Sequence, residues 1–118
     1  MIPKFRAYHE ETGTMFDVLC FDLDDNKIWS YDQSYELNKC KIMQSTGLKD
    51  KNGVEIYEGD ILYFEPYETH LNDRVVEYID GAYHGRLILN GYSKLLAECV
   101  YETRVIGNIY ENPELLEV

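Results

Sequence analysis

The feature that most constrains this fold is the recurrence of turn signals between short β-favouring runs. Thr12-Gly13, Asp24-Asp25-Asn26, Asn52-Gly53, Glu58-Gly59-Asp60, Asp80-Gly81 and Asn90-Gly91 each interrupt the chain before a long helix could form. Between them lie runs that suit strands. Lys4–Tyr8 alternates polar and apolar residues, Met15–Leu23 is apolar with Asp17 and Asp22 interrupting, and Lys27–Tyr31 follows. Further strands are expected at Ile61–Phe64, Arg74–Ile79, Gly85–Leu89, Ala97–Glu102 and Thr103–Ile109. Asn52-Gly53 is the strongest single hairpin signal, because both residues tolerate the positive φ of a tight turn. Eleven tyrosines fit half-buried pleated surfaces, where the ring packs and the hydroxyl stays wet.

Little of the chain invites helix. Asp32–Lys41 reads as loop or a short helix, and Tyr92–Leu96 as a helical stretch. At the end, Asn112 is the expected N-cap of a last helix, with Pro113 at its first position and Glu114 favouring the dipole. The expected class is mainly β: a small antiparallel barrel, SH3-like or a pseudobarrel, with little helix.

At 118 residues and 45% hydrophobic, the chain has the size and apolar content of one domain with a real core. No Pro-, Gly- or Ser-rich linker divides it. Residues 1–118 read as a single domain, with two subdomains as an option, meeting near residues 42–60. Charge supports some asymmetry. Residues 1–53 hold 9 acidic and 7 basic residues, net −2, whereas residues 54–118 hold 13 and 4, net −9. The total of −11 argues against a basic nucleic-acid footprint over the whole surface. No apolar run approaches the roughly 18 residues of a membrane span, and the N-terminus lacks a signal-peptide h-region. The expected location is the cytoplasm. Cys20, Cys40 and Cys99, odd in number and widely spaced, read as free structural thiols in a reducing compartment.

One resemblance spans most of the chain. The segment Met43–Ile61, with Ser45-Thr46-Gly47-Leu48-Lys49-Asp50 and Gly53-Val54-Glu55-Ile56-Tyr57-Glu58-Gly59-Asp60, resembles the central block of the YopX family of phage and prophage proteins. Lys4–Tyr8 with Met15-Phe16 is similar to the family's opening strands, and Val105–Leu116 to its closing motif. Residues 65–100 carry no such likeness. The resemblance implies a mostly-β fold with barrel-like subdomains and a phage or prophage origin. It implies no activity and supplies no catalytic residues. Its motif positions look architectural, with Gly47, Gly53, Gly59 and Gly107 relieving strain at turns. Ile56, Tyr57, Ile61 and Ile109 would fill the core.

No motif for chemistry emerges from the residues themselves. Asp22-Leu23-Asp24-Asp25-Asn26 has the start of a calcium loop, but Lys27 stands where glycine is needed and Gln33 where a bidentate Glu is needed. His9, His70 and His84 are isolated from one another and from the cysteines, so zinc spacing is missing, and a long-range Cys99–His84 site has no support. There is neither a nucleophile elbow nor a phosphate loop. Glu55, Glu58 and Asp60 are close in sequence, but Glu58 and Asp60 flank a glycine as in an exposed turn. The expectation is no enzyme, no catalytic residues, no cofactor and no metal.

Two function classes remain. The first is a non-enzymatic accessory protein working through protein–protein contacts with a host or phage protein, its tyrosines serving as anchors. A narrower form is a nucleic-acid mimic built on the acidic second half. The alternative is a small barrel that binds nucleic acid through Lys39, Lys41, Lys49 and Lys51, with Arg6 if it is near. Net charge disfavours that alternative. An uncharacterised enzyme ranks last, and homo-oligomerisation stays open.

Overall fold

The computed structural model describes residues 4–117, with residues 1–3 and 118 lying outside the description. The chain is mainly β: half of it is strand, and its helical residues lie in turns of three or four residues. It folds as two compact units, Met1–Ser45 and Thr46–Val118.

In the first unit, β1 (Phe5–His9) pairs with β2 (Thr14–Asp17) and with the start of β6 (Cys40–Lys49). β3 (Cys20–Asp22), β4 (Lys27–Trp29) and β5 (Ser34–Glu36) form a second small sheet. The Met15–Leu23 run is therefore two strands. Val18 N–H still donates to the Phe5 carbonyl, whereas Leu19 N–H donates to Trp29, so the chain changes partner at that step. Asp32–Lys41 resolves into β5, a 3-10 turn at Leu37–Lys39 and the first residues of β6. Ala7, Ile28 and Met43 are buried. Tyr35 lies stacked on Phe16, ring centroids 4.4 Å apart, with His9 at 4.9 Å.

The second unit contains β7 (Glu55–Tyr57), β8 (Asp60–Phe64), β9 (Arg74–Ile79), β10 (Ala82–Leu87), β11 (Ser93–Leu95) and β12 (Thr103–Asn108). Its five-stranded sheet has the order β11-β10-β9-β8-β12 and curls into a half-barrel. A four-strand meander thus receives its last strand back beside its first, the strand order of SH3-like barrels. Ile56, Leu62, Val76 and Leu96 form its core. Ile61 is buried as expected, while Tyr57 and Ile109 are only half-buried.

The largest departures from expectation lie in residues 92–102. The expected helix at Tyr92–Leu96 is β11, and the expected strand at Ala97–Glu102 is two 3-10 turns, Leu96–Glu98 and Val100–Glu102. The reason is visible in the burial: Leu96 and Cys99 are buried, and Ala97 and Glu98 between them are exposed. That is a period of three, which a 3-10 turn satisfies and a strand does not. β10 also starts earlier than Gly85. The closing helix is a single 3-10 turn, Pro113–Leu116. Asn112 does not cap it with its side chain, which instead turns back to accept the Asn108 N–H at 3.1 Å.

The two units repeat one succession of elements. In the first unit β1 pairs with β6 and in the second β8 pairs with β12, and in each case a 3-10 turn immediately precedes the later strand. Ser34, Leu37 and Cys40 recur as Ser93, Leu96 and Cys99. Cys40 N–H closes its turn on the Leu37 carbonyl, as Cys99 N–H does on Leu96. Ala7-Tyr8-His9-Glu10 likewise corresponds to Leu62-Tyr63-Phe64-Glu65, with Ala7 and Leu62 both fully buried.

Two of the glycine turns differ in kind. Asp80 (φ 49°) and Gly81 (φ 86°) are both left-handed and make the two-residue turn between β9 and β10. At Asn52-Gly53 only Gly53 is left-handed, at φ 81°. Gly53 N–H donates to the Asp50 carbonyl and Asp50 N–H to Val54, giving a three-residue loop closed on Asp50. A Cβ on Gly53 would meet nothing within 4 Å. Gly53→Val is therefore expected to cost about 1–2 kcal/mol through backbone strain alone. Urea denaturation measures it, and an unchanged midpoint would contradict the left-handed assignment.

Candidate functional site

The lysines expected to make a basic face are mostly engaged. Lys39 Nζ lies 2.8 Å from Glu11 and 3.5 Å from Glu36, Lys41 3.4 Å from Glu10, and Lys51 3.9 Å from Glu65. The Glu11 hydrogen bond and charge raise the Lys39 ammonium above its usual range, and the same contact lowers Glu11. Lys49 has no ion pair among the described residues. Such exposed pairs add little stability, but they offset the positive charge locally.

The candidate chemical groups do not converge. His9 Nδ1 meets Thr12 Oγ1 at 2.8 Å, His84 Nδ1 meets the Ala82 carbonyl at 3.1 Å, and His70 Nδ1 meets Asp73 Oδ2 at 2.8 Å. No group of three or more His, Cys, Asp or Glu able to hold a metal ion occurs among the described residues. Asp22–Asn26 is a hairpin end, in which Asp22 Oδ1 accepts the Asp25 N–H. The carboxylates Glu55, Glu58 and Asp60 do not make an exposed acidic turn. Asp60 is 1% exposed and accepts the Tyr57 N–H at 2.8 Å, which makes it part of the architecture. Cys99 is buried and Cys40 half-buried, and burial pushes both thiols up, away from nucleophilic thiolate. Cys20 is exposed, so it does not pack as a core thiol.

Asp73 is the least satisfied buried polar side chain among the described residues. Its carboxyl is buried, Oδ2 meets His70, and Oδ1 has no hydrogen-bond partner. Burial raises this carboxyl above the usual range, and His70 draws it part of the way back. A raised acid keeps its proton to higher pH in the folded state. Its contribution to stability is thus full below the unfolded value of about 3.9 and lost as pH rises through the folded one. Asp73→Asn should gain stability relative to the native chain as pH rises above the unfolded carboxyl value of about 3.9, measured by thermal unfolding. A difference that does not vary with pH would refute this.

One cleft stands out in the second unit. It encloses about 250 Å³ between Phe64, Arg74, Lys94, Glu98, Tyr101 and Glu102, among others. Arg74 Nη1 donates to the Gly85 carbonyl at 2.7 Å, which holds the guanidinium across the cleft wall. Gly85 leaves the room for this, since a Cβ there would lie 3.0 Å from Arg74 Cδ. Glu98 and Glu102 stand on successive 3-10 turns, not on one strand face, yet both line the cleft. Neither has an ion pair among the described residues. Charge alone marks these two glutamates in the sequence, and the cleft they line is not announced there. The repeated Ser-x-x-Leu-x-x-Cys pattern is the signal that could have located it.

Comparison with known proteins places this arrangement. The family model described as YopX protein matches residues 4–117. Protein EF1440 from Enterococcus faecalis is similar in structure with a TM-score of 0.73 and 35% identity, covering 99% of each chain. Protein yopX from Bacillus subtilis is similar with a TM-score of 0.58 and 21% identity, covering 97% of this chain and 98% of its own. A search of curated proteins gives no match.

Proposed function

The chain belongs to the YopX family, and from that premise we propose a phage- or prophage-derived accessory protein that acts without catalysis, through contacts with a host or phage protein. The observation that carries this reading is the pairing of the lysines. With Lys39, Lys41 and Lys51 against carboxylates, the surface offers acidic groups and exposed rings, among them Tyr31, Tyr67, Tyr92 and Tyr101. Tyrosine provides large contact area at small entropic cost, which suits an interface more than a phosphate backbone. Free thiols accord with a cytoplasmic setting. No helix among the described residues is long and apolar enough to cross a membrane.

Titration of labelled single- and double-stranded oligonucleotides at low and moderate salt tests the reading against nucleic-acid binding. No binding is expected at either salt. Tight binding whose log–log salt slope lies near −3 to −4 would move the assignment to the lysine cluster. On the protein side, charge reversal at Glu98→Lys with Glu102→Lys is expected to weaken capture of a partner from host lysate.

A further inference from the structure

The internal repeat gives the cleft of the second unit a meaning. Register makes Phe16 the counterpart of Arg74, since Ala7 faces Phe16 and Leu62 faces Arg74. The preceding-turn pattern makes Tyr35 the counterpart of Lys94, one residue after Ser34 and Ser93. His9 corresponds to Phe64 in the matching first strands. In the first unit, Tyr35 fills the space between Phe16 and His9, stacked on one and tilted against the other. In the second unit the same three positions carry Lys94, Arg74 and Phe64, and all three line the open cleft. Lys94 and Arg74 have like charges, so the lysine gains nothing by lying on the guanidinium and its side chain is exposed. The seat that one unit fills with its own aromatic ring is empty of one in the other.

We propose that this cleft receives a single aromatic side chain, carried on a basic segment of a partner protein. Phe64 supplies an apolar wall, and the tethered Arg74 guanidinium supplies a flat face on which an aromatic ring stacks. At about 250 Å³ the cleft falls below the roughly 300–1,000 Å³ of pockets for drug-sized ligands, and it suits one side chain. The unpaired Glu98 and Glu102 at its margin, in a segment of net −9, select lysine or arginine beside the ring. Tyr101, 80% exposed at the same margin, offers a second aromatic surface to the incoming chain. This rests on the reading that the protein acts through protein contacts, and it names the chemistry of the partner.

The test uses the full chain, nitrogen-15 labelled, and two-dimensional amide spectra. Three probes are titrated: N-acetyl-tyrosinamide, the amidated peptide Lys-Lys-Tyr-Lys-Lys, and its counterpart with alanine for tyrosine. Both tyrosine probes are expected to shift amides of Phe64, Asn72, Arg74, Lys94 and Thr103, the peptide binding at least tenfold more tightly than the amide. Glu98→Gln with Glu102→Gln should remove that tenfold gain, so that the peptide and the amide bind alike. Lys94→Tyr should rebuild the first unit's arrangement, raise the thermal midpoint by several degrees and abolish binding of both probes. Equal binding of the alanine peptide would overturn the proposal, as would shifts outside the cleft or none at all. These comparisons use the native chain, so they decide the matter even if Lys94→Tyr does not fold. If the probes fail while a host protein is still captured, the interaction reading stands and this cleft is not its seat.

Discussion

Replacing Asp50 with alanine is expected to lower stability by about 3–4 kcal/mol, the loss of several charge-assisted hydrogen bonds that are not fully additive. Asp50 is 6% exposed, and its carboxylate accepts three backbone N–H groups. Oδ1 takes those of Asn52 and Val54, at 2.8 and 2.9 Å, and so shapes the loop around Gly53. Oδ2 takes that of Val105 at 2.9 Å, reaching a strand 55 residues further along. Lys51 N–H adds a bond to the Thr103 carbonyl beside it. One side chain thus closes a local turn and fastens β12, and alanine would orphan three donors together. Asp50→Asn keeps both acceptor capacity and shape in part, so about half the loss is expected from it. Urea denaturation of both variants is the measurement. A loss below about 1 kcal/mol for alanine would mean that water satisfies those N–H groups.

That role was hidden in the sequence for a physical reason. Asp50 precedes Asn52-Gly53, and a local reading credits the turn to the residues with special φ. The bond to Val105 is long-range, and nothing in local pattern announces it. Elements set by local pattern were legible: Arg74–Ile79 is the expected strand to the residue, and Asp80-Gly81 turns as its residue types demand. Elements whose period is three were not. Leu96 and Cys99 are spaced for a 3-10 turn, but in an apolar, β-favouring context the run passes for a strand. The same spacing recurs at Leu37 and Cys40, in a polar run that reads as loop or short helix, and only the two together reveal the repeat. The cleft was illegible because it depends on what is missing at Lys94, which becomes visible only beside Tyr35 in its own unit.

Gly107→Ala is expected to cost about 2–3 kcal/mol, and the cost should depend on Asn112. Gly107 was expected to relieve strain at a turn, like Gly53, yet it is not among the left-handed residues. It sits at a register shift in β12, and what it provides is room. A Cβ there would stand 2.4 Å from Asn112 Oδ1, 2.7 Å from its Cγ and 3.1 Å from its Cβ. Rotating the amide tip cannot relieve contacts with three successive atoms, so the whole side chain must leave. It would abandon the Asn108 N–H, and Asn108 is buried and itself holds the following turn through Tyr110 and Glu111. Asn112→Ala alone should cost about 1–2 kcal/mol, the loss of one hydrogen bond to a buried donor. With Asn112 shortened to alanine the two worst contacts, with Oδ1 and Cγ, are gone and only its Cβ at 3.1 Å remains, so Gly107→Ala should cost far less than in the native chain. A double-mutant cycle by urea denaturation would then give a coupling of at least about 1 kcal/mol. Simple additivity would instead place the cost in the backbone, and the steric account of Gly107 would fail.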